Sequence, residues 1–331
     1  MALGDVTRNV AAFLSLLCLA VPANSQTSGR VNLDSEPLQP LPQALPLNPE
    51  KVDLGRDLFF DTRLSKDGSM SCASCHDLKL GGADGKAVSR GMNGEMGEIN
   101  TPTVFNSGFN FVQFWDGRAE SLDSQMAGPI NNPAELGANW RSVIDRLKAH
   151  PGYKERFGEL YDAGIAEETI QDAIATYERS LITPNSRFDR YLNGNTTAIT
   201  AEEKEGYALF KSLGCRACHQ GRNVGGNMFQ KFGVMRDYFA QRGNITKVDY
   251  GRFNVTGREE DRHVFKVPSL RNIALTAPYF HDASVDSLEA AVEIMAYYQL
   301  GRHISERDRD RVVAFLKTLT GEYQGQPLWR R

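Results

Sequence analysis

Two short stretches carry residues that can do chemistry. Residues 71–76 read SCASCH and residues 214–219 read GCRACH, so Cys72, Cys75 and His76 recur as Cys215, Cys218 and His219. A cysteine pair at this spacing can close a redox disulfide or supply half of a zinc site, and neither requires the histidine behind it. Covalent attachment of a c-type haem does require it: the thiols add to the porphyrin vinyl groups and the adjacent imidazole reaches the iron. One helical turn is what brings the sulfurs to neighbouring vinyls. With six histidines in 331 residues, both pairs would be followed by histidine by chance about once in three thousand sequences. The sequence therefore predicts two covalently bound haems, with His76 and His219 on their irons.

Composition narrows the setting. A net charge of -3 and a pI near 6.1 leave no basic field for nucleic acid, so no nucleic-acid partner is expected. Arg8 precedes the apolar run VAAFLSLLCLAV at 10–21, and Ala23 and Ser25 stand where an export peptidase would cut before Gln26. Residues 1–25 are thus expected to be a signal peptide that is cleaved, giving a periplasmic protein with no membrane insertion afterwards; the run is short for a bilayer span. Cys18 follows Leu17 and leaves with the signal, without the small residue that a lipoprotein site needs. The other four of the five cysteines are those of the two pentads.

Matching helices must position the pentads. Ahead of the first, NPEKVDLGRDLFF offers Asn48 as N-cap, Pro49 at the first helical position and Val52, Leu58 and Phe59 as an apolar face. Ahead of the second, TAEEKEGYALFKSLG offers Thr200 and Glu203 as a capping box and Gly214 as the stop. Gly55 to Phe59 and Gly206 to Phe210 share one pattern, an internal repeat. Each repeat closes with an amphipathic helix, at 167–182 and 305–319, which the glycine lets cross closely. The expected fold is mainly α: two cytochrome c-like helical domains, each binding one haem, with long irregular loops at 81–100 and 221–233. The domains are placed at 47–190 and 198–322, with an extended N-terminal segment at 26–46, a turn-rich linker around 183–197 and a tail at 323–331.

With these features in place, the motifs LFFDTRLS, NTPTVFN, QFWDGRAESL, GPINNPAE, ITPNSRFDRYL, PSLRNIALTAPYFHD and AFLKTLTGE resemble the bacterial di-haem cytochrome c peroxidase family, related to the methylamine-utilisation di-haem enzymes. The likeness runs from about 47 to 322. It implies reduction of hydrogen peroxide to water at the N-terminal haem, with electrons from a small cytochrome c or blue copper protein entering at the C-terminal haem. Glu135 matches the family's distal acid and Gln125 its neighbouring amide. A carboxylate there can move a proton between the peroxide oxygens, and a neutral amide can orient the substrate without competing for it. Trp115 matches the tryptophan between the haems. Met295 matches the second axial ligand of the C-terminal haem, where the methylamine enzymes carry tyrosine. Asn100, Thr276 and Pro278 match a calcium site between the domains, whose oxygen donors suit a hard cation. His281 is expected to contact a haem propionate or the interface, and a homodimer is implied.

One departure from the pattern matters. Where many members carry a histidine that caps the resting N-terminal iron, this chain has Met92, and none of its six histidines lies in that loop. Either Met92, or Met96, ligates that iron, or the position is open to peroxide without prior reduction. Two further functions remain: peroxide-dependent oxidation of residues on a partner protein, and plain electron carriage by two closed haems.

Overall fold

Asn48 caps the first helix, Pro49–Phe59, by accepting a hydrogen bond from the Lys51 N–H at 3.0 Å, with Glu50 and Arg56 placed to complement the helix dipole. Its inner face, Leu54, Gly55, Leu58 and Phe59, is buried against the helix Glu167–Ser180. A β-carbon on Gly55 would lie 1.9 Å from the Ala173 carbonyl oxygen, so only glycine allows the two backbones to approach this closely. The second half repeats the arrangement. Thr200 and Glu203 form the capping box of Ala201–Leu213, Gly214 ends it at φ 106, and a β-carbon on Gly206 would lie 1.9 Å from the Arg311 carbonyl oxygen of the helix Glu306–Lys317. Tyr177 on one closing helix and Phe315 on the other also take the same place against their glycines.

These observations come from a computed structural model that describes Met1, Ala2 and residues 35–330. The expected signal peptide, and the segment up to residue 34, lie outside the described residues except for the first two. No helix among the described residues is long and apolar enough to cross a membrane.

Each half has its own apolar core. Leu54, Leu58, Phe59, Phe157, Ile174 and Leu181 belong to the first; Phe188, Phe210, Val224, Leu288, Phe315 and Leu319 belong to the second. Sheet among the described residues is limited to two small pairs, of which Phe229–Lys231 with Val264–Lys266 is antiparallel and places Phe229 opposite Lys266.

Three segments bind the halves together. The expected linker contains a capped helix, Arg187–Leu192, in which Ser186 and Asp189 form a capping box and Phe188 and Leu192 enter the second core. The expected tail returns to the first core through Leu328. Of the N-terminal segment, Leu38 is fully buried in the second core and pairs with Gly221, just after the second pentad. Beneath it the buried pair Arg271–Asp189, at 2.7 Å, is completed by the Gln39 carbonyl, which accepts from Arg271 at 2.8 Å.

At the centre stands a quasi-symmetric joint. Asn106 and Asn272, at φ 61 and 60, end NTPTVFN and KVPSLRN at the same distance from Pro102 and Pro268. Both donate from Nδ2 to the Thr183 hydroxyl, at 2.8 and 3.0 Å. All three residues are buried, so each amide depends on that oxygen.

Candidate functional site

Each pentad forms a short 3-10 turn, Cys72–Ser74 and Cys215–Ala217, from which the His76 and His219 N–H groups bond back to the Cys72 and Cys215 carbonyls at 3.0 Å. The four cysteines are free, half-buried thiols. Desolvation pushes the Cys215 thiol up to about 11 and the Cys72 thiol higher still, the latter with help from Glu178. Thiols withdrawn from water in this way keep their protons at neutral pH until a bound or reacting group displaces them. Paired thiols with an imidazole directly behind them fit thioether attachment of a haem.

The histidines are prepared as neutral ligands. Desolvation lowers both, His219 to about 4. His76 Nδ1–H points to the Gly82 carbonyl at 3.3 Å and His219 Nδ1–H to the Val224 carbonyl at 3.4 Å. This fixes the tautomer that leaves Nε2 with its lone pair for a metal. Around the second pentad, Cys215, Cys218, His219 and Met295 line one large, mainly apolar cavity with Phe210, Leu270 and Leu316. Met295 opens a π-helical turn, Met295–Gln299, a distortion that is frequent at functional sites. Thiols, neutral imidazoles and an apolar recess are what a covalently held macrocycle needs.

Beside the first pentad the surroundings are polar. Glu135 sits near enough to Cys72 and Cys75 to raise both, although burial is the larger cause in each. Asn132 Nδ2 donates to Glu135 Oε1 at 2.7 Å while Asn132 Oδ1 accepts from the Ala134 N–H at 3.0 Å. The asparagine thus holds the carboxylate to one side and leaves its second oxygen free of described partners. Asn132 was not singled out from the sequence, although an asparagine three residues before the acid was a readable turn signal. Gln125 ends the helix Leu122–Gln125, which is pinned to Glu167–Ser180 by the Asp123–Arg179 ion pair. Its amide has no hydrogen-bond partner among the described residues, and no bond joins it to Glu135.

Met92 is buried and its N–H donates to the Glu135 carbonyl at 3.2 Å. A β-carbon on Gly137 would lie 2.6 Å from the Met92 Cε, so the thioether end packs into the turn that carries Glu135. Met96, by contrast, is 48% exposed.

Trp115 spans the two halves. Its indole N–H donates to the Asn100 carbonyl at 2.9 Å, and its own carbonyl accepts from the Lys266 N–H at 2.8 Å. Asn100, Thr276 and Pro278 line the same cavity as Trp115. Asn100 Nδ2 donates to the Lys86 and Ala87 carbonyls, at 3.0 and 3.4 Å, so its Oδ1 faces away from them. Oδ1 and the Thr276 and Pro278 carbonyls accept no hydrogen bond from the described residues. His281 lies where the two halves meet: its carbonyl accepts from the Asn100 N–H at 2.8 Å and its ring stands edge-on to Trp115. It is buried with Nε2–H on Asp249 Oδ1 at 2.8 Å and its ring against Phe265. Arg242 contacts both Asp249 and Asp282. Against the opposing effect of burial, Arg242, the Thr246 N–H and His281 hold Asp249 well below the usual carboxylate range. Arg242 therefore satisfies the carboxylates that could otherwise have joined His281 around a metal.

A family model described as di-haem cytochrome c peroxidase matches residues 49–197. The chain is 49% identical over 290 residues to cytochrome c peroxidase Ccp of Escherichia coli, covering 87% of this chain and 62% of that longer protein. It is 46% identical over 310 residues to cytochrome c551 peroxidase of Nitrosomonas europaea, covering 93% of this chain and 91% of the relative. Among solved structures, a MauG-like protein associated with microbial copper homeostasis aligns with a TM-score of 0.75 and 30% identity, covering 85% of this chain and 95% of that one.

Proposed function

Since the chain belongs to the di-haem cytochrome c peroxidase family, we propose that it is an exported enzyme that reduces hydrogen peroxide to water beside the first pentad and takes electrons in beside the second. Two c-type haems are implied by that membership; when bound, they supply the open iron position and the stored electrons that O–O cleavage needs. Cys72 and Cys75 would hold the first with His76 as its ligand. Cys215 and Cys218 would hold the second, between His219 and Met295.

The chain's own part is to handle protons and to separate the two environments. Glu135 accepts the proton of incoming peroxide on its free oxygen and returns it to the departing oxygen, while Asn132 keeps the carboxylate oriented. Gln125 orients the substrate without competing for the proton. Met92, packed into the Glu135 turn, braces the acid instead of closing the site, so the first centre is open to peroxide without prior reduction. Trp115, bonded to both halves, lies on the route between them. Asn100 Oδ1 and the Thr276 and Pro278 carbonyls would hold a calcium ion beside it. The electron donor is a small cytochrome c or blue copper protein in the periplasm.

The observation that carries this reading is the contrast between a hydrogen-bonded carboxylate at one pentad and an apolar, methionine-lined cavity at the other. Glu135→Gln should lower steady-state peroxide consumption with a reduced cytochrome donor by about 10²- to 10⁴-fold, while mass spectrometry still finds both haems attached. Unchanged turnover would remove Glu135 from the mechanism. Oxidation of a partner protein by peroxide with no external donor would redirect the function to the methylamine-utilisation type.

A further inference from the structure

Lys266 is a buried cation whose counter-charge does not come from the described chain. It is 6% exposed, and no hydrogen bond or ion pair reaches its ammonium among the described residues. The carboxylate that acts on it from a distance, Asp116, is engaged through both oxygens by Arg118 at 3.0 Å. Burial pushes the Lys266 ammonium down to about 8, as expected of a cation withdrawn from water without a partner. An arrangement of this kind is costly unless an anion arrives.

Its place in the fold indicates where that anion would come from. Alternation along Val264–Lys266 turns Phe265 toward His281, 4.5 Å between ring centres, and Lys266 to the opposite side. Lys266 lines the cavity shared by Cys215, Cys218, His219 and Met295. Counted back from Pro268 and Pro102, Lys266 and Asn100 are counterparts in the internal repeat, and they clasp Trp115 from its two ends. Both contacts are made by backbone groups, so the side chains at these equivalent positions are free to differ: a neutral amide in one half, a cation in the other.

We propose that Lys266 is the built-in counter-charge for a carboxylate of the group that fills the second cavity, a propionate of the covalently bound haem, and that it raises the midpoint potential of that centre. This rests on the functional reading only in needing a haem at Cys215 and Cys218. A fixed positive charge in a low-dielectric pocket stabilises an added electron, so removing it makes reduction harder. Lys266 is a positioning residue and need not touch peroxide.

The test is spectroelectrochemistry of the mature, secreted protein and its Lys266→Met and Lys266→Arg variants, with mass spectrometry of each. Lys266→Met should make reduction of the methionine-ligated haem about tenfold less favourable, a drop of about 59 mV for a one-electron couple, and Lys266→Arg should restore it within about threefold. A methionine variant that fails to acquire its second haem while the arginine variant acquires it supports the same role. A potential unmoved in the methionine variant, an arginine variant displaced as far as the methionine one, or loss of the second haem from both overturns the proposal. Absence of any macrocycle at Cys215 and Cys218 in the unaltered protein would instead overturn the functional reading.

Discussion

The two halves share a frame and differ in what lines it. Glycine crossings at Gly55 and Gly206, carbonyl-bonded imidazoles at His76 and His219, and left-handed asparagines at Asn106 and Asn272 are common to both. On the closing helices, the residue after Tyr177 is Glu178 and the residue after Phe315 is Leu316. Leu316 lines the second cavity, and Glu178, buried and without a hydrogen bond or ion pair to its carboxyl among the described residues, lies beside Cys72. Proton-handling groups gather at one pentad and apolar ones at the other. Duplication of a stable frame thus lets the linings diverge: a centre that moves protons needs titratable neighbours, whereas one that only stores an electron is better served by a shell that excludes water.

Leu316→Glu would erase this contrast from the apolar side. A carboxyl placed there has no described partner, and the variant should lose about 3 kcal/mol of stability, together with the methionine-ligated spectrum of the second haem. Denaturant midpoints and the visible spectrum measure both. A variant as stable as the unaltered protein would mean that the second half does not depend on an apolar lining.

Glu178 tests the same contrast from the polar side, through pH. Burial, only partly opposed by Arg179 and reinforced by Asp123, pushes its carboxyl up to about 8 from an ordinary 4.5. The folded chain therefore keeps this proton across a window in which the unfolded chain has released it. Stability contributed by Glu178 is unaffected below the unfolded value, falls as pH rises through the window, and stays at its lowest above about 8. Inside that window the decline is on the order of 1.4 kcal/mol per pH unit, and Glu178→Gln should flatten it. Equal slopes for the two proteins between about pH 5 and about pH 8 would show that the carboxyl is not held protonated.

How far the sequence foretold this depends on the range of the interaction involved. The pentads, the Asn48 cap, the Thr200–Glu203 box and the glycine crossings follow from spacings of a few residues, and all could be read directly. The helix Arg187–Leu192 was hidden among turn formers, although Ser186 and Asp189 spell its box and Phe188 and Leu192 its apolar stripe. The carboxylate partner of His281 could not be read because Asp249 stands 32 residues away. Glu178 passed as one more charge on an amphipathic helix, since periodicity marks the inner face but does not say that a charge has been placed on it. Lys266 was concealed for the same reason, in a strand only three residues long.

The smallest expected effect is also the one that separates the two readings of the first centre. Met92 braces the Glu135 turn with its N–H and fills the space against Gly137 with its methyl group. Leucine has nearly the same volume and keeps the backbone donor, so Met92→Leu should cost less than about 1.5 kcal/mol. Because leucine offers no sulfur, the fully oxidised variant and the unaltered protein should both show one high-spin and one low-spin haem, and peroxide turnover should change by less than about twofold. A low-spin pair in the unaltered protein that becomes half high-spin in the variant would make Met92 an iron ligand. The difference between the halves would then be one of degree, two methionine-capped centres with unequal linings, and not the difference between an open site and a closed one.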